Sequence, residues 1–164
     1  MKILVIFDSL YGNTEKIALA IGKGLQSAGE VKVAKVNEVD PEYLDEFNLI
    51  VAGSPTQGGR ATAAFKEFLS KIPPRSLKGA KIASFDTGIP GKGRRFFMRL
   101  LLKILGYAAP HLAKALVKKG GRLIIQPEGF FVEDKEGPLK PGEEQRATAW
   151  AQGLSELIKK EDIS

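Results

Sequence analysis

Four runs of consecutive apolar residues, at 3–7, 49–52, 82–85 and 123–125, most constrain what this chain can fold into. Their hydrophobicity is continuous, not alternating. A strand of that kind has to be covered on both faces, as strands of a parallel sheet are. A fifth run, at 31–36, is broken by Lys32 and Lys35 and suits a wetter edge strand. Helical spacing fills the intervals. Ile17, Ile21 and Leu25 recur every four residues, with Gly29 beyond them as the expected C-cap. Asp40 and Pro41 can open a short helix carrying Leu44 and Phe47. Thr62 stands as N-cap before Phe65, Phe68, Leu69 and Ile72. Pro110 opens a helix through Leu112, Leu116 and Val117. Pro141, Glu143 and Glu144 precede a final stripe of Ala147, Trp150, Ala151, Leu154, Leu157 and Ile158.

Strand and helix therefore alternate five times. The pattern predicts an α/β fold: a doubly wound five-stranded parallel sheet in three layers, α/β/α. We find no internal repeat and no linker, so residues 1–164 read as one domain. Ligands of such sheets bind beyond the carboxyl ends of the strands, where the winding reverses. The loops after strands one, three and four are the places to look for chemistry.

Composition removes several function classes. Cysteine is absent and there is one histidine, His111, so thiolate sites, disulfide frameworks and multi-histidine metal centres are excluded. The run at 3–7 stops at Asp8, too short for a secretory leader, and the run at 96–105 is broken by Arg99 and Lys103. The expected location is the cytoplasm. His111 and Trp150 read as structural residues.

After the first strand comes Asp8-Ser9-Leu10-Tyr11-Gly12-Asn13-Thr14-Glu15, running directly into a helix. Ser9, Tyr11, Asn13 and Thr14 carry side-chain donors, and Gly12 permits a tight turn. The first-turn amides and the helix dipole favour an anion at this point. The stretch makes a phosphate cradle without Lys or Arg; an ordinary strand–helix turn capped by Asn or Thr would also use these residues. It is neither a Walker loop nor a dinucleotide fingerprint. After the third strand comes Gly53-Ser54-Pro55-Thr56-Gln57-Gly58-Gly59-Arg60, a shaped turn whose backbone can approach a flat ligand.

Ser9-Leu10-Tyr11-Gly12-Asn13-Thr14 resembles the phosphate motif Ser/Thr-x-x-Gly-x-Thr of the flavodoxin superfamily. The loop at 53–59 is similar to that superfamily's flavin-ring loop, especially in its quinone-reductase-like branch, and residues 127–132 and the stretch to Trp150 are similar to its C-termini. Flavodoxins are themselves the familiar instance of FMN at the switch point of a sheet ordered 2-1-3-4-5. The resemblance implies that order, and FMN as cofactor. It implies that Ser9, Leu10, Tyr11, Gly12, Asn13 and Thr14 bind the phosphate end. Pro55, Thr56, Gln57 and Gly58 would line one edge of the isoalloxazine, and Thr87 and Gly88 would contact the ring. The function it implies is electron transfer through the bound flavin, with redox proteins as partners and no catalytic side chain beyond the flavin pocket. The alternative is an NAD(P)H-dependent quinone or flavin reductase acting on a small quinone or nicotinamide substrate. A phosphoryl-accepting receiver domain shares the fold class, but the third strand ends Ala52-Gly53-Ser54, without the Asp that chemistry needs.

Two features depart from the family. The second loop has no aromatic residue, and downstream of the third stand only Phe96 and Phe97. An open flavin face would favour direct hydride exchange with a substrate. The net charge is +6, and its excess lies in residues 87–127, which hold nine Lys or Arg and no acid. A basic helical insertion is expected at about 90–107, with Arg95, Arg99 and Lys103 on one face. It reads either as a packed helix with a solvated stripe, or through 92–107 as a lid or a contact for an acidic partner, an anionic membrane surface or a second copy. Nucleic acid is not an expected partner, since no recognised motif or aromatic–basic stacking pattern is present.

Overall fold

The structure is a computed structural model describing residues 1–90 and 107–163. In chain order it contains β1 (Lys2–Phe7), α1 (Asn13–Leu25), β2 (Glu30–Lys35), 3-10 turns at Val36–Glu38 and Pro41–Glu46, β3 (Leu49–Pro55), α2 (Ala63–Lys71), β4 (Lys81–Gly88), α3 (Ala108–Lys118), β5 (Arg122–Leu123), β6 (Glu128–Phe131) and α4 (Glu143–Ile163). Residues 91–106 of the expected insertion lie outside the described residues.

The sheet runs β2-β1-β3-β4-β5, the expected order, and every pairing is parallel. The fifth position is divided between two short strands. Lys81 and Ile82 of β4 pair with Arg122 and Leu123, whereas Phe85 to Gly88 pair with β6. Ile124 still donates to the Ile82 carbonyl at 3.1 Å. Pro127, one residue before β6, has no N–H to continue a ladder. Sequence reading expected one strand there and placed it at 123–125.

The alternation of side chains along each strand sorts the core into two halves. Leu4, Ile6, Ile50, Ala52 and Ile82 face the layer of α2 and α3, against Phe65, Phe68, Ile72, Leu112 and Leu116. Ile3, Val5, Phe7, Leu49, Val51, Ala83 and Phe85 face α1 and α4, against Ile17, Ile21, Leu25, Ala147, Ala151, Leu154 and Ile158. Burying each of these large side chains contributes about 1.5–3 kcal/mol, so the strand interiors set the fold and leave the loops to serve a ligand. Gly53 on β3 lies under the Phe85 ring; a Cβ there would come within 2.0 Å of it.

Three helix limits differ in detail from expectation. α1 ends at Leu25 with Gln26 as C-cap, so Gly29 lies beyond the cap. The element at Pro41 is a 3-10 turn, with the Asp40 carboxylate accepting from the Glu42 amide at 2.9 Å. α3 begins at Ala108, two residues before Pro110. Proline is tolerated there because a first-turn amide has no intrahelical acceptor. Thr62 caps α2 as expected, accepting from the Phe65 amide at 3.3 Å.

Candidate cofactor-binding site

The order 2-1-3 means the chain winds one way from β1 to β2 and the other way to β3. A crevice opens at the carboxyl ends of β1 and β3 as a result. A cleft of about 410 Å³ lies there, within the roughly 300–1,000 Å³ range of small-molecule sites. Leu10, Tyr11, Asn13, Thr14, Pro55, Thr56, Gln57, Gly58, Thr87 and Gly88 line it together. Ile89, Val132 and Lys135 line it as well and were not among the site residues expected from the sequence.

Ser9 and Gly12, also predicted for the site, are not among the residues lining the cleft. Gly12 is the N-cap of α1 with φ 85°, a left-handed conformation that L side chains seldom adopt. Ser9 Oγ accepts from the Gly12 amide at 3.1 Å and the Glu15 amide at 3.4 Å. That leaves the amides of Asn13 and Thr14, two buried residues at the head of α1, without an acceptor among the described residues. The position combines free donors with the positive end of a helix. Thr14 Oγ1 and Thr87 Oγ1 lie 2.7 Å apart and hydrogen-bond to each other.

Leu10, Tyr11 and Ile89 also line the cleft and are 48%, 50% and 48% exposed, so apolar surface is open to a ligand there. The loop after β3 turns sharply through Gly58 (φ 52°) and Gly59 (φ 78°), closed by reciprocal bonds of 2.8 and 3.0 Å between Gln57 and Arg60. Two successive positive φ angles define a type I′ turn. The Thr56 amide donates to the Thr87 carbonyl at 2.9 Å, and Thr56 Oγ1 accepts from the Ala108 amide at 2.9 Å. Asp86 accepts from the next amide, Ala109, at 2.8 Å. Asp8, at the end of β1, accepts from the Thr62 hydroxyl at 2.5 Å and from the Ser9 amide at 2.9 Å.

A third wall comes from the C-terminal part of the chain. β6 is fixed to α4 by Arg146, whose guanidinium bonds Glu143 at 2.7 Å, Glu128 at 3.1 Å and the Gly129 carbonyl, and lies 4.4 Å from the Phe130 ring centroid. Glu143 also accepts from the Phe131 amide at 2.7 Å. Burial works to raise the Glu143 pKa; its bonds from Arg146 and the Phe131 amide, with the Arg146 and Lys140 charges, outweigh it and hold the carboxyl below its ordinary value. Beyond β6 the strap 132–139 folds back on itself, closed by a Val132–Leu139 bridge. Asn13 Nδ2 donates to the Glu136 carbonyl at 3.0 Å, bringing the strap against the start of α1.

No group of three or more His, Cys, Asp or Glu among the described residues could hold a metal ion. No helix among them is long and apolar enough to cross a membrane.

Donors without acceptors and exposed apolar side chains in one cleft fit an amphipathic mononucleotide with a phosphate tail and a planar ring. Fold and cleft together define a mononucleotide-binding α/β protein. The family model for flavodoxin matches residues 5–101, more than half the chain, and the protein belongs to the flavodoxin family. A flavodoxin from Clostridium saccharobutylicum is 26% identical over 161 residues, covering 97% of this chain and 98% of that one. An NAD(P)H dehydrogenase (quinone) from Archaeoglobus fulgidus is 32% identical over 94 residues, covering 42% of this chain and 49% of its own. The solved structure of a flavodoxin from the domain Archaea superposes with a TM-score of 0.72 at 22% identity, over 97% of this chain and 99% of that chain. The cofactor is FMN, and the function is electron transfer through it. The Clostridium flavodoxin matches along 97% of the chain and the quinone dehydrogenase along 42%, so the reductase alternative is not favoured.

Proposed function

We propose that the cleft holds FMN with its phosphate on the Ser9–Thr14 turn and its isoalloxazine between the 55–58 and 87–89 loops. The acceptor-free amides of Asn13 and Thr14 at the head of a helix carry this reading, with exposed Leu10, Tyr11 and Ile89 lining the same cleft. The Thr14–Thr87 pair uses one of its two hydroxyl protons internally and keeps the other for a ligand acceptor. The flavin, when bound, supplies the one- and two-electron chemistry. The chain binds it, orients it and limits water at its polar edge. Pro55, Thr56, Gln57 and Gly58 offer a turn whose backbone donors can meet the ring.

The chain serves as a carrier between redox partner proteins in the cytoplasm, as a single domain bearing an inserted basic segment. The alignment of the carrier-type relative along the whole chain supports this reading over turnover of a small substrate. The test is direct. Purified full-length protein should show a flavin spectrum, and denaturation should release FMN. NADPH with a small quinone should give no rapid turnover, and cell fractionation should find the protein in the cytosol. A colourless protein that takes up no added FMN would defeat the assignment of the cleft; fast quinone turnover would defeat the carrier role.

A further inference from the structure

We infer that Lys135 is a ligand of the FMN phosphate, so that this chain grips its cofactor partly through charge and not through amides and hydroxyls alone. The inference rests on the reading of the cleft as the FMN site. The first loop contains no cation, yet the folded cleft does. Lys135 is the one charged residue among the described residues lining it.

The strap that carries Lys135 is held at both ends of its path. At its base the Val132 amide donates to the Gly88 carbonyl at 3.1 Å, tying it to the end of β4. Its two arms are joined by the Glu133 amide donating to the Pro138 carbonyl at 2.9 Å. At its tip the Glu136 carbonyl accepts from Asn13, the first residue of α1. Contact there is close: a Cβ on Gly137 would lie 2.7 Å from the Asn13 amide group. Lys135 therefore stands one residue from the point where the strap touches the helix head, at the end of the cleft where the free amides lie.

Charge placement supports the role. Glu133, Asp134 and Glu136 flank Lys135, but none of the three lines the cleft. Lys135 makes no ion pair among the described residues. Of the strap's charged residues, Lys135 alone lines the cleft. A phosphate monoester carries about −1.5 to −2 charge at neutral pH, and a lysine ammonium is a flexible point charge suited to it. The same contact separates FMN from riboflavin, which has the ring and no phosphate.

The test titrates the full-length protein, stripped of flavin, with FMN and with riboflavin at low and moderate salt, followed by flavin fluorescence. Lys135→Gln should weaken FMN binding by about three- to tenfold, the span between an exposed ion pair and a charge-assisted hydrogen bond. Riboflavin affinity should stay within about twofold, since its ring contacts are untouched. Lys135→Arg should restore most of the FMN affinity, and wild type should lose more affinity with salt than Lys135→Gln does. FMN binding by Lys135→Gln equal to wild type, or equal losses for FMN and riboflavin, would overturn the inference while leaving the cleft as the FMN site. Failure of the wild type to bind FMN would overturn both.

Discussion

Thr14 and Thr87, 73 residues apart, hydrogen-bond hydroxyl to hydroxyl across 2.7 Å. Both side chains are buried, at 1% and 4% exposure, so water does not compete for the bond. It joins the head of α1 to the end of β4 in the wall of the cleft.

This pairing makes the two threonines energetically inseparable. Thr14→Ala and Thr87→Ala should each weaken FMN binding by about 1–2 kcal/mol, and the double variant should lose clearly less than the two added together. Fluorescence titration of the four proteins gives the coupling directly. Strictly additive losses would mean that each hydroxyl acts on the ligand alone.

Thr62 does two things at once: it caps α2 and donates to Asp8 at the end of β1. Thr62→Ala should cost about 1–2 kcal/mol of stability, the scale of a lost cap, and Thr62→Ser should retain most of it. Urea unfolding midpoints measure both. Equal losses for alanine and serine would assign the effect to the methyl group and not to the hydroxyl.

Glu143 makes stability depend on pH in a defined direction. Its folded pKa lies below the ordinary value of 4.5, so its contribution is complete above that value and disappears as pH falls through the folded pKa. Glu143→Gln should be less stable than wild type by about 1–2 kcal/mol at pH 7, and the gap should close at pH values below 4.5. Thermal melts of both proteins from pH 3 to 7 would follow the convergence. A gap that persists unchanged at the acid end would exclude Glu143 ionisation as its cause.

Gly12 separates backbone strain from crowding. Its φ of 85° is left-handed, yet a Cβ built on it meets nothing within 4 Å. Substitution should therefore cost about 1 kcal/mol through conformation alone, and asparagine, which tolerates this region, should cost less than alanine despite its greater size. Melting temperatures ranked glycine, asparagine, alanine are the expected result; the reverse order of the last two would point to a steric clash.

The sheet was legible in the sequence because doubly covered strands leave continuous apolar runs, as at 3–7 and 49–52, and amphipathic helices leave four-residue spacing, as at Ile17, Ile21 and Leu25. Ten of the twelve residues named for the site share one cleft, since a turn between a strand and a helix is compact and keeps its motif contiguous. The third wall was illegible for the opposite reason. Asn13 meets Glu136 across 123 positions, and no local pattern announces a contact formed only when β6 docks on β4. Lys135 sits among acids in sequence and reads as part of a solvated turn. The divided outer strand was hidden too, because Arg122–Leu123 is too short for periodicity to register.

The head of α3 has a consequence for how relatives of this chain can diverge. Ala108 and Ala109 are anchored to Thr56 and Asp86, and Tyr107 donates to the Ile89 carbonyl at 3.5 Å. Departure from β4 and arrival at α3 are thus pinned side by side, independently of what joins them. Closing a longer loop between fixed ends adds little free energy, about 0.6 kcal/mol per doubling. Sequence can be added or removed at this junction at little cost to the cleft beneath it.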